Sequence, residues 1–260
     1  MVLRNGEKMS KSRGNVVGID ETANEHGVDA MRMFLLKATP PEDTMDWSEE
    51  GIAGRVRFLD RVWRVALGTH AVSEPPIARA NNVAFERLPP VECDEQREIV
   101  RAVHAALKSG ADETNSRRFH YNTTLARLDE LVNLLTKFLR VPGNERDPAF
   151  LYGVRALPVL LAPFAPHIAE ELWQRMGRTS SVHLERWAAH DDAALAVSAV
   201  TLVVQVNGKI RARIETATGV SEAAAAALAL ANENVRAYID GKTVRKRIYV
   251  QDKLLNLVVG

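Results

Sequence analysis

Between residues 48 and 68 the apolar side chains Leu59, Val62, Trp63 and Ala66 fall at i, i+3, i+4 and i+7, the spacing that puts them on one stripe of a helix. The stripe returns in a helix expected from about Asn115 to Arg140, through Leu131, Leu134, Leu135 and Phe138. A helix with one apolar stripe is stable in water only when the stripe is covered, so a series of them is best satisfied by mutual packing. Punctuation extends the series. A further helix is expected over about Asp94 to Ser109, and Asp147-Pro148 sets an N-cap carboxylate before a proline at the first helical position, predicting a helix toward Leu161. In "LLAPFAPHIAEELW" the prolines end that helix and start another near Pro166. The middle of the chain is therefore expected to be a helical bundle, interrupted by a long connection over Ser73 to Pro90, which is rich in proline, asparagine and alanine.

The two flanks read differently. Near the start, Asn5-Gly6 between short extended pieces signals a hairpin. After it Asp20 is expected to cap a short helix ended by Gly27, and Asp29 to Ala38 forms a strongly apolar helix closed by Pro40 and Pro41. After about Ala199, "TLVVQVNGKIRARIE" reads as two strands joined by Asn207-Gly208, followed by an alanine-rich helix and two more strands, "TVRKRIYV" and "KLLNLVVG". Ile210, Ala212 and Ile214 alternate with Lys209, Arg211 and Arg213, predicting one apolar and one cationic strand face. The fold class is thus multidomain and mainly α, with a small α/β domain at the C-terminal end.

A formal net charge of +1 means that any nucleic-acid surface must be a local patch. The single cysteine, Cys93, allows neither an internal disulfide nor a cysteine-based metal site, and a cytoplasmic location is expected. No apolar run approaches the roughly 20 residues that span a bilayer, so no membrane partner is expected.

The chemistry-bearing stretch is "EKMSKSRGN", Glu7 to Asn15. Lys8 and Lys11 are compact point charges on flexible stems, suited to a polyphosphate whose negative charge shifts during reaction. Ser10 and Ser12 can donate hydrogen bonds to phosphate oxygens, and Gly14 gives the loop freedom to close. Two lysines alone would more often be a solvated surface loop. The full string "KMSKS" followed by "RGN" resembles the second signature of class I aminoacyl-tRNA synthetases. Together with "EHGVDAMRMFLLKATPPEDTMDWSEEGIAGRVRFLDRVWR", "RRFHYNTTLARLDELVN", "LLAPFAPHIAEELW" and the tail "VQVNGKIRARIE … YIDGKTVRKRIYVQDKLLNLVVG", it is similar to the C-terminal portion of bacterial-type leucyl-tRNA synthetases.

That resemblance implies three parts: residues 1–39, the end of a class I catalytic domain with its KMSKS loop; residues 40–190, an anticodon-binding-type helical bundle; and residues 198–260, a small α/β domain that touches tRNA. It implies ATP as substrate, with Mg2+ expected in the complete enzyme and no metal site in this chain. Lys11, with Ser10 and Ser12 beside it, would contact the ATP phosphates as pyrophosphate leaves, and Lys8 would assist or anchor the loop. The implied partners are tRNA(Leu) and an N-terminal catalytic and editing portion, in cis or as a separate subunit. Candidate tRNA contacts are Arg117 and Arg118 before "FHYNT", and Lys209, Arg211, Arg213, Lys242, Arg245, Lys246 and Arg247 in the tail; cationic strand edges that only resist aggregation are the competing reading of the tail. His167 and Trp173 sit in a family motif but are expected to pack between helices rather than to catalyse. The first class I signature, a His-x-Gly-His tetrapeptide, does not occur in the sequence. The chain alone is therefore expected to be inactive in leucine activation, and the alternative reading is a non-catalytic stand-alone tRNA-binding module.

Overall fold

The structure, a computed structural model, describes residues 1–68, 74–116, 119–196 and 199–260. It is mainly helical with two small sheets, and it divides into two compact units, Met1–Leu195 and Ala196–Gly260.

The first unit opens with strand β1 (Val2–Arg4), which turns at Asn5-Gly6 into antiparallel β2 (Glu7–Lys8). Both turn residues have positive φ, 55° and 77°, the geometry for which Asn-Gly is favoured in two-residue hairpins. Helices α1 (Ile19–His26) and α2 (Val28–Ala38) follow, and β3 (Met45–Trp47) returns to pair in parallel with β1. Gly18, not Asp20, holds the N-cap of α1; Asp20 lies inside the first turn, where its charge still complements the positive helix end. Then come α3 (Glu49–Leu67), α4 (Pro76–Ala80), α5 (Asp94–Ser116), α6 (Tyr121–Phe138), α7 (Pro148–Leu161), α8 (Pro166–Arg175) and the short α9 (Asp192–Leu195). Ser48 Oγ accepts from the Gly51 amide at 3.0 Å and starts α3. Asp147 Oδ1 accepts from the amides of Ala149 and Phe150 at 2.8 and 3.1 Å and starts α7, and its other oxygen takes a hydrogen bond from Gln96 at 2.6 Å.

Two expectations about this region change. The stretch read as a connection contains α4, because Pro76 is compatible with a first helical turn and Ile77 and Ala80 are fully buried against the bundle. The break between α5 and α6 lies later than sequence suggests: α5 runs through Gly110 to Ser116, and α6 begins only at Tyr121. Gly110 is not a helix stop. A Cβ there would sit 2.4 Å from Trp187, so the missing side chain is the seat of an indole.

Helix α7 lies at the centre. Phe150, Tyr152, Val154, Leu157, Leu160 and Leu161 are fully buried and fall on several sides of it, as expected for a helix enclosed by others. Its neighbours supply Ile99, Val103 and Leu107 from α5, Leu125, Leu128 and Leu135 from α6, and Trp173 from α8, all in one continuous core. Met33 of α2 and Phe58 and Val62 of α3 belong to the same core, so the segment before the bundle is packed into it. Trp173 is core, as expected. His167 is not: its side chain is 74% exposed, because it stands at the first turn of α8 with Nδ1 turned to Asp29 Oδ1 at 2.8 Å. The same Asp29 carboxylate accepts from the Ile168 amide at 2.9 Å, capping α8 from α2. Asp129 of α6 makes a second tie, pairing with Arg55 of α3 at 2.9 Å and with Lys37 of α2.

After α8 the chain is pinned to one side of α5. Trp187 packs on Gly110 and donates its indole N–H to the Leu107 carbonyl at 2.9 Å. Four residues on, the Asp191 amide donates to His104 Nδ1 at 3.0 Å, and Lys108 pairs with Asp192 at 3.3 Å. His104, Leu107, Lys108 and Gly110 recur at helical spacing, so one face of α5 receives the whole strap. Because His104 Nδ1 accepts, its proton sits on Nε2, which faces the Tyr152 hydroxyl at 2.9 Å. Burial holds the His104 pKa below the usual histidine range, against the opposing charge of Asp191 and with a smaller contribution from His190. Burial likewise pushes the Tyr152 hydroxyl up to about 12.

The second unit contains β4 (Ala199–Val206), β5 (Lys209–Ala217), α10 (Glu222–Ala231), α11 (Glu233–Ile239), β6 (Val244–Val250) and β7 (Leu254–Val259), with strand order β5-β4-β7-β6. Asn207 and Gly208 turn the β4–β5 hairpin at φ 50° and 79°. Leu202, Val204, Leu255, Leu257 and Val259 bury one sheet face under Ala225, Ala226 and Ala229 of α10 and Val235 of α11. The strict alternation expected on β5 does not survive. Val204 pairs with Ala212 but Gln205 pairs with Ile210, so Arg211 is the extra residue of a β-bulge, and the facing reverses across it. Ile210 is consequently 52% exposed, and Lys209 comes opposite Val206.

Two outcomes test this packing. Replacing Asp29 by Ala should lower unfolding free energy by about 1–2 kcal/mol through loss of the α8 cap, with Asp29→Asn retaining part of it; equal losses in denaturant titrations would contradict the capping role. For His104 the unfolded chain takes up its proton near pH 6.5, whereas the folded one does so only at lower pH. Its contribution to stability is therefore complete above about pH 6.5 and is lost as pH falls below it. Denaturation midpoints between pH 7.5 and 5 should fall less steeply in His104→Gln than in the natural sequence, and parallel slopes would contradict the assignment.

Candidate functional site

The loop after β2 is built by its own side chains. Ser10 has an extended backbone, Lys11–Arg13 form a single 3-10 turn, and Gly14 at φ 64° ends it in the left-handed region that glycine tolerates. Asn15 closes the loop: its Oδ1 accepts from the Ser10 amide at 2.9 Å and its Nδ2 donates to the Lys8 carbonyl at 3.2 Å. One carboxamide thus holds both sides of the Lys8–Ser10 segment, a role that was not assigned to Asn15 from sequence. Glu7 and Arg13 pair at 3.6 Å across the loop's base, and the Ser10 and Ser12 hydroxyls lie 3.2 Å apart, one donating to the other.

This leaves the lysines outward. Lys8 and Lys11 are exposed, and among the described residues neither has an acidic side chain within ion-pair distance. A fixed loop with two uncommitted ammonium groups and two hydroxyls that can exchange their mutual bond for a ligand's is suited to an anion carrying several oxygens. Arg13, by contrast, is committed to Glu7. Among the described residues no group of three His, Cys, Asp or Glu side chains could hold a metal ion.

The other candidate residues are placed as follows. Arg117 and Arg118 lie outside the described residues. Lys209, Arg211 and Arg213 are on β5, and Arg245, Lys246 and Arg247 are on β6. These strands form opposite edges of the sheet, with β4 and β7 between them, a separation of roughly 14 Å at about 4.8 Å per strand. The tail cations therefore form two groups rather than one stripe. Arg211 is stacked 3.5 Å above the centroid of the Tyr238 ring, a cation–π contact, and Lys242 donates to the Tyr238 carbonyl at 3.2 Å. Lys209, Arg213, Arg245, Lys246 and Arg247 are exposed. Sequence reasoning found these cations by type but not their distribution, which depends on a strand order that spacing does not reveal.

Comparison with known proteins shows what the chain resembles. Residues 96–226 match the family described as the anticodon-binding domain of tRNA ligase, and residues 1–48 match the class I tRNA synthetases of the I, L, M and V group. The leucine–tRNA ligase of Geobacter sp. (strain M21) is 39% identical over 260 residues, and that of Thermosipho melanesiensis 37% over 259. In both cases all of this chain is covered, but it spans only 30% of the relative's length. Among solved structures, the agnB2 LeuRS of Agrobacterium radiobacter K84, determined as a ternary complex with tRNA and LeuAMS, superposes with a TM-score of 0.77 at 31% identity, covering all of this chain and 33% of that one. The chain belongs to the tRNA ligase family that carries this anticodon-binding domain, and along its whole length it is similar to the C-terminal part of leucine–tRNA ligases.

Proposed function

We propose that the chain supplies the KMSKS loop and the tRNA-holding portion of a cytoplasmic leucine–tRNA ligase, which activates leucine with ATP and transfers it to tRNA(Leu). In this reading residues 1–39 are the end of the catalytic domain, residues 40–190 the anticodon-binding-type bundle and residues 198–260 a tRNA-contacting α/β domain. The observation that carries it is the pair of exposed, uncommitted lysines on a loop closed by Asn15, in a chain of this family. As the α-phosphorus of ATP is attacked by the leucine carboxylate, negative charge accumulates on the departing pyrophosphate. Lys11 Nζ, with Ser10 and Ser12 donating beside it, is suited to stabilise that charge, and Lys8 to anchor the triphosphate from the strand side. Mg2+ would be held chiefly by the phosphates.

A second observation supports a companion portion. Within the first 39 residues Val2, Val16, Ile19, Val28 and Leu35 are all 40% or more exposed, Ile19 reaching 71%. Apolar side chains concentrated there suit cover by the rest of a nucleotide-binding fold, supplied in cis or by a separate subunit.

The expected result is that the purified chain gives no leucine-dependent ATP–pyrophosphate exchange, while joining it to a leucyl-enzyme front portion carrying the first class I signature restores exchange. In the joined enzyme Lys11→Ala should reduce exchange about 100-fold or more, the usual scale for removing one charge-stabilising group, with tRNA binding unchanged. Turnover by the chain alone, or full activity of the Lys11 variant, would contradict the reading. tRNA binding without restored exchange would favour a stand-alone binding module.

A further inference from the structure

The strap that follows α8 forms, with α5, α7 and the segment after α4, a cavity of about 750 Å3, a size within the range of small-molecule sites. Its aromatic walls are fixed in advance. Phe85 stacks on Tyr152 with ring centroids 4.9 Å apart, and Trp187 is held by its bond to the Leu107 carbonyl. Arg155 of α7 is also on the lining. Its Nε and Nη1 are buried with no acceptor, and buried donors left in this way call for an explanation. The guanidinium lies 4.8 Å from the Trp173 ring centroid and 5.9 Å from that of Phe85. Those aromatic faces offset part of the cost of burying the charge but leave the donors without an oxygen. Burial and the like charge of Arg178 hold the Arg155 pKa below the usual arginine range, so an anion beside it would be favoured.

Four carboxylates share the lining, and two of them are already engaged. Asp191 accepts from the Ala193 amide at 2.8 Å, and Asp192 pairs with Lys108 and His190 at 3.3 and 3.5 Å. Glu86 and Glu185 are exposed, and among the described residues neither has a cation within ion-pair distance. Arg155 and Arg186 likewise have no carboxylate within that distance. The uncommitted charge is therefore two arginines against two glutamates, gathered around one cavity yet too far apart to pair. A phosphate or a nucleic-acid backbone would gain Arg155 and meet both glutamates as like charges, a repulsion that selects against it. A molecule that carries an anionic and a cationic group together satisfies both sets.

We infer that this cavity binds a free amino acid with an apolar side chain, its carboxylate at Arg155, its ammonium at Glu86 and Glu185, and its side chain against Phe85 and Trp187. A guanidinium and a carboxylate form the stronger, charge-assisted kind of hydrogen bond, and an ammonium group also gains from nearby aromatic faces. The inference goes beyond the proposed function and does not depend on it, since every residue invoked lies in the first unit between Phe85 and Asp192.

The test titrates the whole chain with L-phenylalanine by isothermal calorimetry, and separately with its two halves: 3-phenylpropanoate, which lacks the ammonium, and 2-phenylethylamine, which lacks the carboxylate. One saturable site for phenylalanine is expected, with each half weaker by about tenfold or more, the scale of losing one hydrogen-bonded charge. The variant combines Glu86→Gln with Glu185→Gln. Both side chains are exposed, so the helical circular-dichroism spectrum should be unchanged. In this variant phenylalanine should lose about tenfold, whereas 3-phenylpropanoate should lose nothing, a divergence that general loosening of the fold would not produce. Absence of saturable phenylalanine binding would overturn the inference, as would an unchanged phenylalanine affinity in the variant or equal losses for the two ligands. Binding of 3-phenylpropanoate or inorganic phosphate to the unaltered chain as tightly as phenylalanine would show a plain anion site and would overturn it too.

Discussion

The carboxylate of Asp129 meets Arg55 and Lys37 where α6, α3 and α2 converge, and the rest of the first unit depends on that junction. All three side chains are largely withdrawn from solvent, with Arg55 only 14% and Asp129 18% exposed. An ion pair in such a place adds little beyond what an apolar substitute would give, but removing one partner strands the other charge at a cost of about 3 kcal/mol or more. Its value is therefore specificity of arrangement. Asp29 makes the complementary tie at the other end of α2 by capping α8, and Met33 between them is fully buried in the shared core. Helix α2 is fastened at both ends and in the middle.

That fastening links a small charged loop to a large scaffold. The loop is shaped by short-range bonds, Asn15 to Lys8 and Ser10 above all, while its base stands on a three-stranded sheet that joins α3 through β3. A ligand gripped by the helices would then be held by the same body that carries the lysines. Such coupling of position needs no conformational signal; it needs only that the two parts move as one.

The sequence was most legible where local chemistry dominates. Asn5-Gly6 and Asn207-Gly208 are hairpin turns because few other pairs accept two positive φ values, and Asp147-Pro148 starts α7 because cap and proline agree. It was least legible where tertiary contact overrode local preference. The helix expected to end near Ser109 runs on through Gly110, which accommodates Trp187 from a strap 77 positions away. His167 looks like a packing residue, yet its ring lies outside the core and is held, together with the Ile168 amide, by the Asp29 carboxylate from far earlier in the chain. The bulge at Arg211 reversed an alternation that spacing alone predicts. The loop's residue types were recognisable from the string, whereas Asn15's part in closing it required coordinates.

The central claim is that the loop-bearing segment and the helices form one cooperative body. Native-state hydrogen exchange tests it most directly. Amides of α2 should open with the same free energy as those of α6 and α7, within about 1 kcal/mol, and substituting Asp129 should lower α2 first. Exchange of α2 several kcal/mol more easily than α6 in the unaltered chain would show that the segment is only loosely attached, and would contradict the account.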